Sequence, residues 1–67
     1  MKTQPIHFSA RLLALRERAG LTRGGLADRA GLSRIHYTRL ERGEREPMAK
    51  TVQQLAAALG VEVAELI

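Results

Sequence analysis

The sequence predicts an all-α fold, a compact bundle of five short helices. Three features of the chain carry this reading. Apolar residues recur at spacings of three and four along most of its length, and no stretch alternates as a half-buried strand does. Gly20, Gly31, Gly43 and Gly60 each follow such a stretch, where a glycine commonly closes a helix. Thr22 and Ser33, both good helix N-caps, come two residues after the first two of these glycines, so one helix stops and the next starts within a few residues.

The first helix is expected over Ser9 to Ala19, with Phe8, Leu12, Leu15 and Ala19 forming one apolar stripe. Residues 1–7, which include Pro5, read as a flexible N-terminal tail ahead of a single domain over residues 8–67. The second helix is expected over Arg23 to Ala30, where Leu21 precedes the Thr22 cap and can meet Leu26 as a hydrophobic staple. The third is expected over Arg34 to Arg42, with Leu32 and Tyr37 in the equivalent places around the Ser33 cap. Only Gly31, Leu32 and Ser33 separate these two helices. That is too little chain to lay them antiparallel at full contact, so they should cross steeply as a helix-turn-helix. Pro47 opens the fourth helix, Met48 to Leu59, whose Val52, Leu55, Ala56 and Leu59 face the same core as helix 1. A final helical turn is expected over Val63 to Leu66.

Composition removes several function classes. A chain of 67 residues makes one small domain with no room for a large substrate cleft. With no cysteine and only His7 and His36 as imidazoles, neither a disulfide framework nor a metal cluster can be built, and no cofactor is implied. There is no thiol nucleophile, no useful pair of carboxylates in the basic half and no glycine-rich loop after a strand, so an enzyme is disfavoured. The apolar runs are too short for a membrane span or a signal peptide, and a cytoplasmic, nucleoid-associated protein is expected.

Charge is distributed unevenly. The formal charge is +4, but residues 1–45 hold ten basic and four acidic side chains, and residues 46–67 hold one basic and three acidic. Nearly all the cations are Arg, whose planar fork suits phosphate and guanine. On a helical wheel the third helix turns Tyr37 and Leu40 to one side and Arg34, Ile35, Thr38, Arg39 and Arg42 to the other. One reading is a solvated charged face with a stray isoleucine. The other is a DNA-reading face: Arg34 and Arg39 pair with guanine, Ile35 rests on a thymine methyl, and Thr38 or Arg42 holds phosphate. The wheel alone leaves both open.

The run from Gly20 to Pro47 resembles the helix-turn-helix domain of the Cro and phage-repressor type, the lambda-repressor-like or xenobiotic-response-element class, and the similarity extends from Phe8 to Ile67. It is carried by Leu26-Ala27, by Ala30-Gly31-Leu32-Ser33, by Leu40-Glu41-Arg42-Gly43 with Pro47 following, and by Leu55-Ala56 with Ala58-Leu59-Gly60-Val61. The resemblance implies that helix 3 enters the major groove, with Arg34, Ile35 and Arg39 at base edges. It implies phosphate contacts from Ser33 and Thr38 with the start of helix 2 on the backbone, and the phosphate-binding set expected in all is Thr22, Arg23, Ser33, Thr38, Arg42 and Arg45. It also implies a structural ion pair between Arg16 and Glu41, in preference to Arg16 as a DNA contact.

Two places depart from that pattern. Thr22-Arg23-Gly24-Gly25 lacks the acid that completes a capping box, its glycines weaken the first turn, and Arg23 opposes the helix dipole unless an anion is near. Helix 2 is therefore expected to fray without DNA and to order when phosphate supplies that anion. Met48 stands where a capping side chain is usual.

The function expected is sequence-specific binding of a double-stranded DNA operator by a small regulator, a repressor acting as a homodimer on an inverted repeat. Val63 and Ile67 are the candidate dimer contacts, while Val61 and Leu66 are assigned to closing the monomer core. The competing reading is an antitoxin-like module that neutralises a toxin partner and controls its own promoter. The absence of an extra arm after the five helices favours the plain regulator, and a domain of a longer protein is the other possibility.

Overall fold

The structure, a computed structural model, describes residues 7–67. It contains four α-helices and one 3-10 turn: α1 (Phe8–Arg18), α2 (Arg23–Ala30), α3 (Arg34–Glu41), α4 (Ala49–Leu59) and η1 (Val63–Glu65). Among the described residues there is no strand. The expected tail lies outside the described residues except for His7, which serves as the N-cap residue of α1 and accepts the Arg11 N–H on its carbonyl at 3.1 Å.

The links between helices follow local chemistry. The Thr22 Oγ1 accepts the Gly25 N–H at 2.9 Å, and the Ser33 Oγ accepts the His36 N–H at 3.0 Å, so each hydroxyl satisfies a donor that the first turn cannot pair internally. Between the two helices Gly31 sits at φ +75°, a left-handed conformation that lets the Leu32 N–H bond back to the Ala27 carbonyl at 2.9 Å. That bond turns the chain sharply and points Leu32 into the core, where it packs half-buried. Leu21 does the same after α1, its N–H reaching the Arg16 carbonyl at 3.2 Å.

Several boundaries differ from expectation, each for a local reason. Helix α1 starts at Phe8, and Ala19, expected at the end of its apolar stripe, is its exposed C-cap. Helix α3 ends at Glu41, with Arg42 as C-cap. Met48 is the N-cap of α4 with no side-chain hydrogen bond, so Pro47 precedes the helix instead of opening it. The fifth helix is a single 3-10 turn: the Glu65 and Leu66 N–H groups bond three residues back to Glu62 and Val63 at 2.9 Å, and three residues are too few for a closed α-helical turn.

The core is one cluster. Leu12 and Leu15 of α1, Leu26, Ala27 and Ala30 of α2, Tyr37 and Leu40 of α3, and Val52, Leu55 and Ala56 of α4 are buried together, and the η1 turn presses a fully buried Leu66 into the same cluster. Helix α1 packs on α3, and α2 packs on both α3 and α4. Through Tyr37 and Leu40 this core holds only one side of α3, which leaves the opposite side to solvent.

Candidate nucleic-acid interface

The solvent side of α3 forms an open trough of about 380 Å³ lined by Arg34, Ile35, Thr38, Arg39, Arg42 and Glu44. Ile35 is 69% exposed within it, an apolar side chain ringed by guanidinium groups. The structure thus brings together the three residues expected at base edges and two of those expected at phosphate. Among the described residues Arg39 has no carboxylate partner, whereas Arg42 Nε lies 3.4 Å from Glu44 Oε2 in an exposed pair. Arg45 borders a different hollow with Arg42, Gly43 and the N-terminal end of α1. Thr22 and Ser33 are exposed at the starts of α2 and α3. Each uses a lone pair on the backbone, so its O–H remains able to donate to an anion.

Arg34 is not loose. Its Nη2 donates to Asp28 Oδ2 at 2.9 Å and its Nε to Oδ1 at 3.5 Å. That hydrogen bond, with the attraction between the two charges, lowers the Asp28 pKa and raises that of Arg34. The guanidinium also lies against Gly24, where a Cβ would come within 2.8 Å of Arg34 Cζ.

Beneath this face, Glu41 joins three helices. Its carboxylate accepts from Arg16 Nε at 2.7 Å and Nη2 at 3.2 Å, from Arg23 Nε at 2.8 Å, and from the Tyr37 hydroxyl. Arg16 completes its own set by donating Nη1 to the Leu21 carbonyl at 2.9 Å. Burial works against ionisation of Glu41, but the bonds from Arg16, Tyr37 and Arg23 outweigh it and hold the carboxyl below the usual range. Burial and the adjacent carboxylate push the Tyr37 phenol up. The hydrogen bond to Glu41 likewise raises Arg16, against some desolvation.

A helix-turn-helix family model matches residues 12–66, a span that contains every α-helix after the first turn of α1. The chain belongs to the helix-turn-helix family. An uncharacterised helix-turn-helix-type transcriptional regulator of Sinorhizobium fredii is 43% identical over 53 residues, which cover 79% of this chain and 69% of that protein. The immunity repressor protein of Bacillus phage phi105 is 35% identical over 57 residues, covering 85% of this chain and 40% of the repressor. The chain therefore spans well under half of that relative. Among solved structures, the restriction-modification controller protein C.AhdI of Aeromonas hydrophila is 38% identical and superposes with a TM-score of 0.87, covering 90% of this chain and 91% of that one. The DNA-binding domain of the P22 c2 repressor is 27% identical with a TM-score of 0.87, covering 98% of this chain and 84% of the domain.

Set in this helix-turn-helix frame, the departure at the start of α2 has a structural counterpart. Arg23 finds its anion within the protein, at Glu41, with 60% of the side chain left in solvent. The first turn of α2 is tied both by this pair and by the Thr22 cap, so phosphate is not needed to neutralise the cation. Sequence reasoning missed Asp28 and Glu44 at the exposed face. No helical periodicity links Asp28 with Arg34, since the turn intervenes. The available signal was Gly24, because a glycine inside a helix often marks a close approach by another group.

Proposed function

We propose that the chain is a transcriptional repressor that binds a double-stranded DNA operator sequence-specifically, seating α3 in the major groove. One observation carries this reading: the core grips α3 from one side through Tyr37 and Leu40, while Arg34, Ile35 and Arg39 stand together on the other. Arg offers two parallel donors to guanine O6 and N7, and an exposed Ile beside them suits a thymine methyl. Thr22, Ser33, Thr38, Arg42 and Arg45 supply phosphate contacts in this reading, with Arg23 as a weaker one because Glu41 already holds its Nε. The role is binding and not catalysis, and it is exercised in the cytoplasm. No helix among the described residues is long and apolar enough to cross a membrane.

An α3 of eight residues is about 12 Å long and reaches only a few base pairs. Useful specificity then calls for two copies on an inverted repeat with half-sites about 34 Å apart. Val63 and Ile67 provide the self-contact in this proposal, being 36% and 69% exposed beside the buried Leu66. Selection from a random duplex pool, followed by titration of the enriched sequence and a scrambled one at two salt concentrations, tests the reading. An inverted repeat bound about 1,000-fold above scrambled DNA supports it. Weak, salt-sensitive binding with no enriched motif refutes it, and a pull-down for a toxin-like protein partner becomes the next step.

A further inference from the structure

We propose that Asp28 is the positioning residue for Arg34, holding its guanidinium across α2 at Gly24 so that the free end of the fork meets one guanine of the operator. This rests on the reading of α3 as a recognition helix and adds to it the group that aims one of its side chains.

The geometry of the fork supports the assignment. A guanidinium has five N–H donors. Asp28 occupies the side made by Nε and Nη2, with the short contact of 2.9 Å at Nη2 and the longer one of 3.5 Å at Nε. The end of the fork, one N–H from each Nη, is left over, and that is the edge that matches the O6 and N7 acceptors of guanine. The planar face of the group lies against α2 at Gly24, where a Cβ would sit 2.8 Å from Cζ, 3.0 Å from Nε and 3.1 Å from Nη1. Glycine is the residue that lets a neighbouring group come this near a helix backbone. An Arg in the first turn of an exposed helix otherwise samples many rotamers, and each costs entropy to arrest on binding.

Stability gives a poor account of the same pair. Arg34 and Asp28 are 69% and 62% exposed, and an ion pair so open contributes little to folding. Gly24, the second residue of α2, favours the helix less than alanine would. Placing a carboxylate beside a DNA-facing residue also repels phosphate at every sequence alike. An arrangement that costs helix stability and general affinity is accounted for if it improves discrimination at one base pair.

The test uses the full chain and the selected operator, with each half-site position replaced in turn by the other three base pairs, read by fluorescence anisotropy. Arg34→Ala first identifies the position whose preference depends on Arg34. Asp28→Asn and Gly24→Ala are then expected to lower the preference at that same position by about ten-fold, within the range of one bidentate base contact. Other positions keep their preference, binding to scrambled DNA stays equal or tightens for Asp28→Asn, and Gly24→Ala melts no lower than the wild type. Asp28→Asn that keeps the preference within about two-fold of wild type, or strengthens it, overturns the proposal, since Asp28 would then be a bystander or a competitor for Arg34. An even loss at all positions also overturns it, as a folding defect would. If Arg34→Ala leaves every preference intact while the wild type still selects an operator, this inference fails and the operator-binding reading stands. If the wild type selects no sequence, both fail.

Discussion

Glu41→Ala is the substitution with the largest expected effect on the fold, and its size follows from what the carboxylate holds. Removing it leaves the Tyr37 hydroxyl without its acceptor inside a fully buried residue, which costs about 1–3 kcal/mol. It also strips Arg16, whose side chain is 12% exposed, of two bonds and its counter-charge. Breaking a buried pair from one side costs about 3–5 kcal/mol. Arg16 keeps the Leu21 carbonyl at 2.9 Å and some access to water, so the two losses together are expected to reach about 3–4 kcal/mol. For a domain of this size that lowers Tm by about 15–25 °C and removes much of the total stability. Urea unfolding followed by far-UV circular dichroism measures it, with Glu41→Gln as the milder variant that keeps the volume and one acceptor. Arg23→Ala should cost under about 1 kcal/mol, because 60% of that side chain is in solvent. The dependence on pH has a definite sign. The folded-state pKa of Glu41 is depressed, so the unfolded chain takes up the proton first as acid is added. Its contribution is complete above the ordinary carboxylate range and is lost as pH falls through the lower folded value, and Glu41→Gln should lack that component. A Glu41→Ala protein within about 1 kcal/mol of wild type at neutral pH, or an unchanged acid profile in Glu41→Gln, would rule out this role for the carboxylate.

Other substitutions separate packing from recognition. Ser33→Ala should destabilise the fold by about 1 kcal/mol through loss of the bond from the His36 N–H, seen in the same urea assay. Arg39→Ala should leave stability within about 0.5 kcal/mol and weaken operator binding by about ten-fold or more beyond the smaller loss on scrambled DNA, as anisotropy titration would show. Leu66→Ala should cost about 2–3 kcal/mol, because the side chain fills the core although it lies one residue from the last described position. Ile67→Glu should leave the urea midpoint of the monomer unchanged and prevent self-association in sedimentation equilibrium, since the side chain is 69% exposed.

Much of this architecture is legible in the sequence because it is specified locally. Thr22 and Ser33 name their helix starts, Gly31 names a stop, and the spacing of Tyr37 and Leu40 separates the inward side of α3 from the outward one. The boundaries that differ from the sequence pattern depend on hydrogen bonding beyond the spacing of apolar residues. Ala19 continues a stripe on paper but falls on the exposed cap, and Val63 to Glu65 have room only for 3-10 bonds. Asp28 is not legible as the partner of Arg34, because their meeting is made by the crossing of α2 and α3 and by no spacing within either helix, and Gly24 signals a close approach without naming the group that makes it. The anion beside Arg23 was missed for a similar reason. Glu41 could be assigned to Arg16 from the resemblance, but its second oxygen reaching α2 appears only once the helices are packed.

Whether α3 carries the recognition surface is read from an amide and arginine side-chain NMR titration with the selected operator. The largest shifts are expected on Ser33 to Arg42 and on the Nε–H groups of Arg34 and Arg39, with the C-terminal residues Val63 to Ile67 little affected by DNA. Shifts concentrated on α4 or on the C-terminal turn, with α3 unchanged, would contradict it.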